Sequence, residues 1–281
     1  MARIRIVTDS ASDLPEEFAR RLNIDVVSLT IRFGDEEFTD RVDLTPDAFW
    51  AKCKISKTLP ETAAPSAGAF QAAYERAKSD GYDGVLVLTL SSMLSASNQA
   101  AALAAEAVKD VIEVRVVDTL SVSMGQGLIV IDVAELAATG ANLDELESRA
   151  TALMAKSGVV AALDTLEHLI KGGRVGGAKA LIGQVLSIKP LVELKDGVVA
   201  EAGRQRTRAK ALAAVAKVAS SHAPLRRLAL IHGACSDADV ATLQSLVKDV
   251  PVEFPIIVTD IGPVVGTHGG PGIIGLTWIE A

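Results

Sequence analysis

Gly84-Val-Leu-Val-Leu-Thr-Leu90 is an uninterrupted apolar run, and Ser91-Ser-Met-Leu-Ser-Ala-Ser97 follows it directly. A strand that is apolar on both alternations is covered on both faces, as strands of a parallel sheet are. The serine stretch ends where an alanine-rich helix begins, so the unit reads strand, loop, helix.

The same grammar recurs on either side. Residues 3–9 form a short strand ending in a polar turn. Asp13-Leu-Pro15-Glu-Glu then supplies an N-cap, an early proline and first-turn acids for a helix to about Leu22. Residues 25–33 read as a second strand and 45–52 as a helix, while 57–66 form a polar loop that sets Thr62 and Ser66 ahead of a helix over 67–79. Residues 114–118 are another buried strand, followed by helices over about 125–139 and 142–157. Strands alternating with helices imply a doubly wound parallel sheet.

From residue 158 the pattern changes. Residues 191–200 read as a hairpin with Asp196-Gly197 at its turn. Strands over 159–164, 228–232, 252–259 and 273–279, with a helix over 237–247, complete a mixed set. At 281 residues the chain exceeds one comfortable core. The expectation is an α/β protein of two domains: a doubly wound parallel sheet over 1–157 and a mixed α/β domain over 158–281.

Hydrophobic residues make up 49% of the chain and mean hydropathy is +0.32, but much of this is alanine. No stretch reaches the roughly 18 apolar residues of a membrane span. The N-terminus enters a strand with two arginines and lacks a signal-peptide pattern, so a cytoplasmic location is the expectation. There, Cys53 and Cys235 are expected as free thiols. The net charge of −7 opposes general nucleic-acid binding. It is unevenly spread: residues 171–210 hold nine Lys or Arg against three acids. That stretch is either a solvated face or a docking surface.

Familiar catalytic motifs fail on inspection. Gly270-Pro-Gly272-Ile-Ile-Gly275 matches a dinucleotide fingerprint, but only six residues follow it, too few for the helix and ribose-binding acid. In Gly172-Gly-Arg-Val-Gly-Gly177-Ala-Lys179 the lysine is displaced and Ala180 replaces the magnesium-binding hydroxyl. His168, His222, His232 and His268 show no metal spacing, so no metal or cofactor is expected. His168 and His222 read as structural or exposed, and His232 as a strand-end residue satisfied locally. Ser91 to Ser97 is richer, bringing hydroxyls and helix N-terminal N–H groups to the carboxyl edge of a sheet, where a carboxylate could sit. Helix capping by Ser95 or Ser97 is the competing reading. Asp9, Ser10, Ser12 and Asp13 after the first strand face the same choice.

Seven features in order resemble the DegV family: Thr8-Asp-Ser10 with Asp13-Leu-Pro15, Thr62-Ala-Ala-Pro65-Ser66, Ser91-Ser-Met-Leu-Ser95, Asp118 with Ser121-Val-Ser-Met-Gly125, Gly172-Gly-Arg174, Ile188-Lys-Pro190, and Thr267-His268-Gly-Gly-Pro-Gly272. The resemblance spans essentially the whole chain. It implies a carrier for one long-chain fatty acid, with the tail in an apolar tunnel between or within two α/β domains. The carboxylate is then presented to a separate fatty acid kinase, which makes the acyl phosphate.

By the same resemblance the carboxylate meets the Thr62 hydroxyl, the Ser95 hydroxyl with the Ala96 N–H, and the His268 imidazole. Arg174 and Arg206 resemble kinase-docking positions. Two departures stand out. Ala96-Ser97 replaces the usual Gly-Thr, and Ala63-Ala64 stands where Ser-Gln is common. Alanine at 96 suits the loop only if its φ is negative. Two rivals come from other classes: an acyl hydrolase with Ser95 as nucleophile and His268 as base, and a lipid-sensing regulator acting through protein contacts.

Overall fold

A computed structural model describes residues 2–181 and 188–281, with the side chains of 179–181 excepted. Residues 182–187, within the basic stretch noted above, lie outside the described residues.

The Gly84–Thr89 strand is buried along its whole length and sits inside a four-stranded parallel sheet. Its neighbours are Ile4–Asp9 and Glu113–Asp118, and Asp25–Val27 forms the far edge beyond Ile4–Asp9. Helices cover both faces, as the apolar run implies. On one face Phe70, Tyr74, Ala101 and Ala104 pack against Val7, Val85 and Val87. On the other lies Met124–Ala137, buried without a break from Met124 to Ala134. A helix apolar all round must be enclosed, and this one lies between two sheets, against Ile6, Leu86 and Leu88 on one side and Ile231 and Ile279 on the other.

The second sheet has six strands, in the order Val198–Gln205, Lys189–Lys195, Ser157–Ala162, Ile273–Glu280, Leu225–Gly233, Ile257–Asp260. Only its last pair is parallel. The expected hairpin is present, with Asp196 and Gly197 both at positive φ between Lys195 and Val198. Strand alternation separates two environments. Val160 and Ala162 enter a core with Leu212, Val215 and Leu243 of the outer helices, while Val159, Ala161 and Leu163 face inward towards the first sheet.

Five expectations are corrected. Residues 25–33 are not one strand: Asp25–Val27 stays in the parallel sheet, while Thr30–Phe33 turns into a third, antiparallel sheet with Glu36–Thr39 and Glu61–Ala63. The polar loop 57–66 therefore contains a strand, and Thr62 is held opposite Ile31. Phe33, Phe38, Phe49 and Trp50 pack against one another beneath it. Residues 252–259 give only Ile257–Asp260, since Pro255 interrupts the run, and Val252 forms an isolated bridge to Leu225. Residues 142–157 split into Leu143–Met154, capped by Asn142 and Glu145, and the start of the Ser157–Ala162 strand. Finally, Asp13 does not cap the first helix. Pro15 occupies that position, and Asp13 is left-handed at φ 49 with its carboxylate turned inward.

Cys53 and Cys235 are free. No helix among the described residues is long and apolar enough to cross a membrane.

Candidate functional site

An apolar cavity lies between the four-stranded and six-stranded sheets. Its walls are almost wholly aliphatic, with Leu29, Leu90, Val159, Ala161, Ile231 and Ile273 among them. The polar side chains in its lining are Thr62, Ser95, Ser123, Arg174, Glu193 and His268. Thr62, Arg174 and His268 also line a polar cleft that contains Lys57, Glu61, His168 and Lys171. The apolar cavity thus opens into a polar and mostly basic cleft. Such a junction suits an amphiphile with an anionic end.

Each polar residue is positioned by a local feature. Thr62 stands on its short strand, and its Oγ1 shares a 2.9 Å hydrogen bond with His268 Nε2 across 206 residues of sequence. His268 ends the Pro263–Gly269 helix. Its Nδ1 is buried without a partner among the described residues and lies so close to Gly172 that a Cβ there would collide with it. Burial, reinforced by the Arg174 guanidinium and by His168, pushes the imidazole down to about 4. His268 is therefore neutral near pH 7, and the positive charge at the mouth belongs to Arg174. That guanidinium is fixed by donating to the carbonyls of Leu94 at 3.1 Å and Gly172 at 2.6 Å.

Ser95 closes a turn in which its N–H reaches Ser91 O. Its Oγ accepts from the Ser97 N–H at 3.3 Å and lies 3.0 Å from Ser97 Oγ. Capping and cavity-lining roles therefore coexist at Ser95. Ala96 occupies the N-cap of Ser97–Ala107 with φ −79 and ψ 8, a conformation alanine adopts without strain. The departure from glycine is thus locally harmless.

Thr62, Ser95 and His268 meet at one cavity, and Ala96 adjoins them through Ser95. Arg174, expected on a docking face, is at the mouth itself. Arg206 is exposed between the Val198–Gln205 strand and the Arg208–Ser220 helix and does not line the cavity. Sequence reasoning missed the part of Gly172, whose lack of a side chain admits His268, and of His168, whose Nδ1 lies 3.1 Å from Thr267 O. The Gly172-Gly-Arg174 motif was the available signal. Asp9 and Ser10 act as braces. Asp9 accepts from the Ala11 and Leu90 N–H groups, and Ser10 Oγ accepts from the Leu29 N–H.

A hydrolase would need Ser95 Oγ on the imidazole and a group orienting that ring. Instead Ser95 is bonded to Ser97 and His268 to Thr62, and among the described residues no group orients the ring through Nδ1.

The depressed His268 pKa gives a testable sign. Unfolded, the ring takes up its proton near 6.5; folded, near 4. Between those values the unfolded state holds more protons, so the stability linked to His268 is complete above 6.5 and declines as pH falls towards 4. Asp9 and Asp13, pushed up to about 7 by burial, and Asp40, to about 6, act oppositely in this window. The difference between variant and wild type therefore carries the test. His268→Gln should gain up to about 3 kcal/mol on wild type between pH 7 and pH 4 in urea unfolding. A pH-independent difference would show that the ring titrates normally.

Fold and site together define an α/β protein whose apolar interior, between its two larger sheets, ends at a polar, basic mouth. The chain belongs to the DegV family: the family model, described as an uncharacterised protein of that family, matches residues 3–281. A DegV domain-containing protein of Streptomyces coelicolor is 33% identical, over 97% of each chain. A DegV family protein of Thermus thermophilus, described by its fatty acid binding, has a similar structure with a TM-score of 0.91 and 33% identity, covering 99% of this chain and 100% of that one. Bacillus subtilis DegV, described as a fatty acid binding protein, gives a TM-score of 0.89 at 29% identity over the full length of both chains.

Proposed function

We propose that the protein is a cytoplasmic carrier that holds one long-chain fatty acid in the cavity and presents its carboxylate to a partner fatty acid kinase for acyl phosphate formation. The observation that carries this reading is the junction itself: an aliphatic cavity between the sheets ending at Thr62, Ser95, Arg174 and His268. Fatty acid binding by the similar Thermus and Bacillus proteins supports it. Each buried methylene contributes about 0.8 kcal/mol, so ten give about 8 kcal/mol before ordering costs, well above one or two hydrogen bonds. The tail supplies affinity. The hydroxyls of Thr62 and Ser95, the Ala96 N–H, the neutral imidazole and the Arg174 charge orient the head.

In this reading the carrier leaves the chemistry to the kinase. ATP and magnesium arrive with the partner, and the carboxylate waits as a positioned nucleophile. Mass spectrometry of a solvent extract from the denatured protein tests the binding claim. Near one fatty acid per chain is expected, and a protein that also fails to bind added fatty acid would overturn it. Incubation with ATP and magnesium alone tests the division of labour, because robust acyl phosphate production without a partner would contradict it.

Arg206 tests docking apart from binding. Arg206→Glu should leave the ligand content of the chain unchanged and slow kinase-dependent acyl phosphate formation about tenfold or more, through weaker electrostatic association. An unchanged rate at low salt would remove Arg206 from the interface.

A further inference from the structure

We propose that Asp13 is a positioning residue for the head-binding site, acting as a latch that fixes the His268-bearing helix against the first sheet. The inference rests on the proposed ligand reading for its binding assay, but not for its spectroscopic one.

Asp13 lies 249 residues from Gly262 in sequence, yet its Oδ1 accepts the Gly262 N–H at 2.9 Å. Gly262 is the N-cap of Pro263–Gly269, whose last turn holds Thr267 and His268. A Cβ at Gly262 would lie 2.9 Å from Asp13 Oδ1, so glycine is what lets the carboxylate approach. The other oxygen, Oδ2, accepts from Ser123 Oγ at 2.5 Å. Ser123 lines the cavity and precedes the central helix with φ 55 and ψ −147, a backbone conformation that must be held by its surroundings. One buried carboxylate therefore ties three pieces together: the turn after the first strand, the entrance of the central helix, and the start of the helix that delivers His268 to Thr62.

Two hydrogen bonds use both oxygens and leave the side chain turned away from the cavity, which Asp13 does not line. Its effect on ligand reaches the site indirectly, through the Pro263–Gly269 helix that carries His268 and through Ser123, which lines the cavity. Loss of the latch should free that helix, loosen the Thr62 to His268 contact and admit water to a ring that burial now holds near 4. Head recognition should suffer more than tail burial.

The test compares Asp13→Ala, Asp13→Asn and Gly262→Ala in the full chain. One assay measures affinity for palmitate against hexadecanol, which share a tail and differ in the head. The other follows the His268 ring by NMR titration without ligand. Asp13→Ala should cut the preference for acid over alcohol about tenfold, the scale of a lost buried hydrogen bond, and move the His268 midpoint up towards the ordinary histidine range. Asp13→Asn should retain much of both properties, because its amide oxygen still accepts from Gly262 while its N–H₂ meets Ser123 Oγ. Gly262→Ala, which crowds the carboxylate without removing it, should reproduce the loss and decides the matter if Asp13→Ala does not fold. Equal weakening of acid and alcohol with an unmoved His268 midpoint would overturn the latch. A wild type that binds neither lipid would sink the carrier reading alone, and the titration would still judge Asp13.

Discussion

Ala161→Trp should leave a folded protein that retains little or no fatty acid. Ala161 is the middle of three inward residues on the Ser157–Ala162 strand and its extension, between Val159 and Leu163, and all three line the cavity. Its neighbours Val160 and Ala162 point into the outer core, so an indole at 161 fills the ligand space and not that core. If the ring displaces about five methylenes of ligand, the loss is about 4 kcal/mol, near a thousandfold in affinity. Ordinary overpacking costs about 1–3 kcal/mol, but here an existing cavity takes up the volume, and unfolding free energy should fall by less than that. Extract stoichiometry and a titration with added palmitate measure the first effect, and urea unfolding the second. A ligand content equal to wild type would place the tail elsewhere. Unfolding of the variant would instead show that Ala161 is packed as core.

How far the sequence reached depended on whether a segment carried its own signal. The 84–90 run did, because burial on both faces leaves an unbroken apolar word, and so did Asp196-Gly197, whose positive φ values suit a two-residue hairpin. Glu36–Thr39 and Glu61–Ala63 carried none. They are three or four residues long and mostly exposed, and they are strands only because Thr30–Phe33 pairs with both. That sheet is what lifts Thr62 to His268. The site was legible through the family resemblance, not through spacing, since Thr62, Ser95 and His268 are scattered over 206 residues. Asp13 was misread for a related reason. Its setting before Pro15 looks like a helix start, and nothing local reveals that its partners are Ser123 and Gly262. Arg174 took its docking role from the family resemblance, and nothing in its local sequence indicates the bonds to Leu94 and Gly172 that also hold it at the mouth.

The joint between the two sheets yields the largest stability prediction. Asp132, on the central helix and 3% exposed, accepts through Oδ1 from Arg149 at 2.7 and 2.9 Å, and through Oδ2 from Arg226 at 2.6 Å and Arg227 at 3.3 Å. Arg227, itself buried, also reaches Glu135 and lies over Phe254. Burial alone would raise the Asp132 pKa, but bonds from Arg226 and Arg149 outweigh it and hold the carboxyl below its usual range. Removing one member of a buried charge network leaves the others uncompensated, at a cost of about 3–5 kcal/mol. Asp132→Ala should therefore lose that much in urea unfolding at pH 7, and the deficit should shrink as pH falls through and below the usual carboxylate range, where the unfolded chain protonates first and the folded carboxylate only later. Adding Arg227→Met to Asp132→Ala should recover part of the loss, because the stranded cation is then gone. Since the network ties the central helix to the Leu225–Gly233 strand, whose Ile231 lines the cavity, the single variant should also release bound fatty acid faster. A loss below about 1 kcal/mol, in the range of exposed ion pairs, would mean that apolar packing of Met124–Ala137 alone holds the two sheets at the distance the ligand requires.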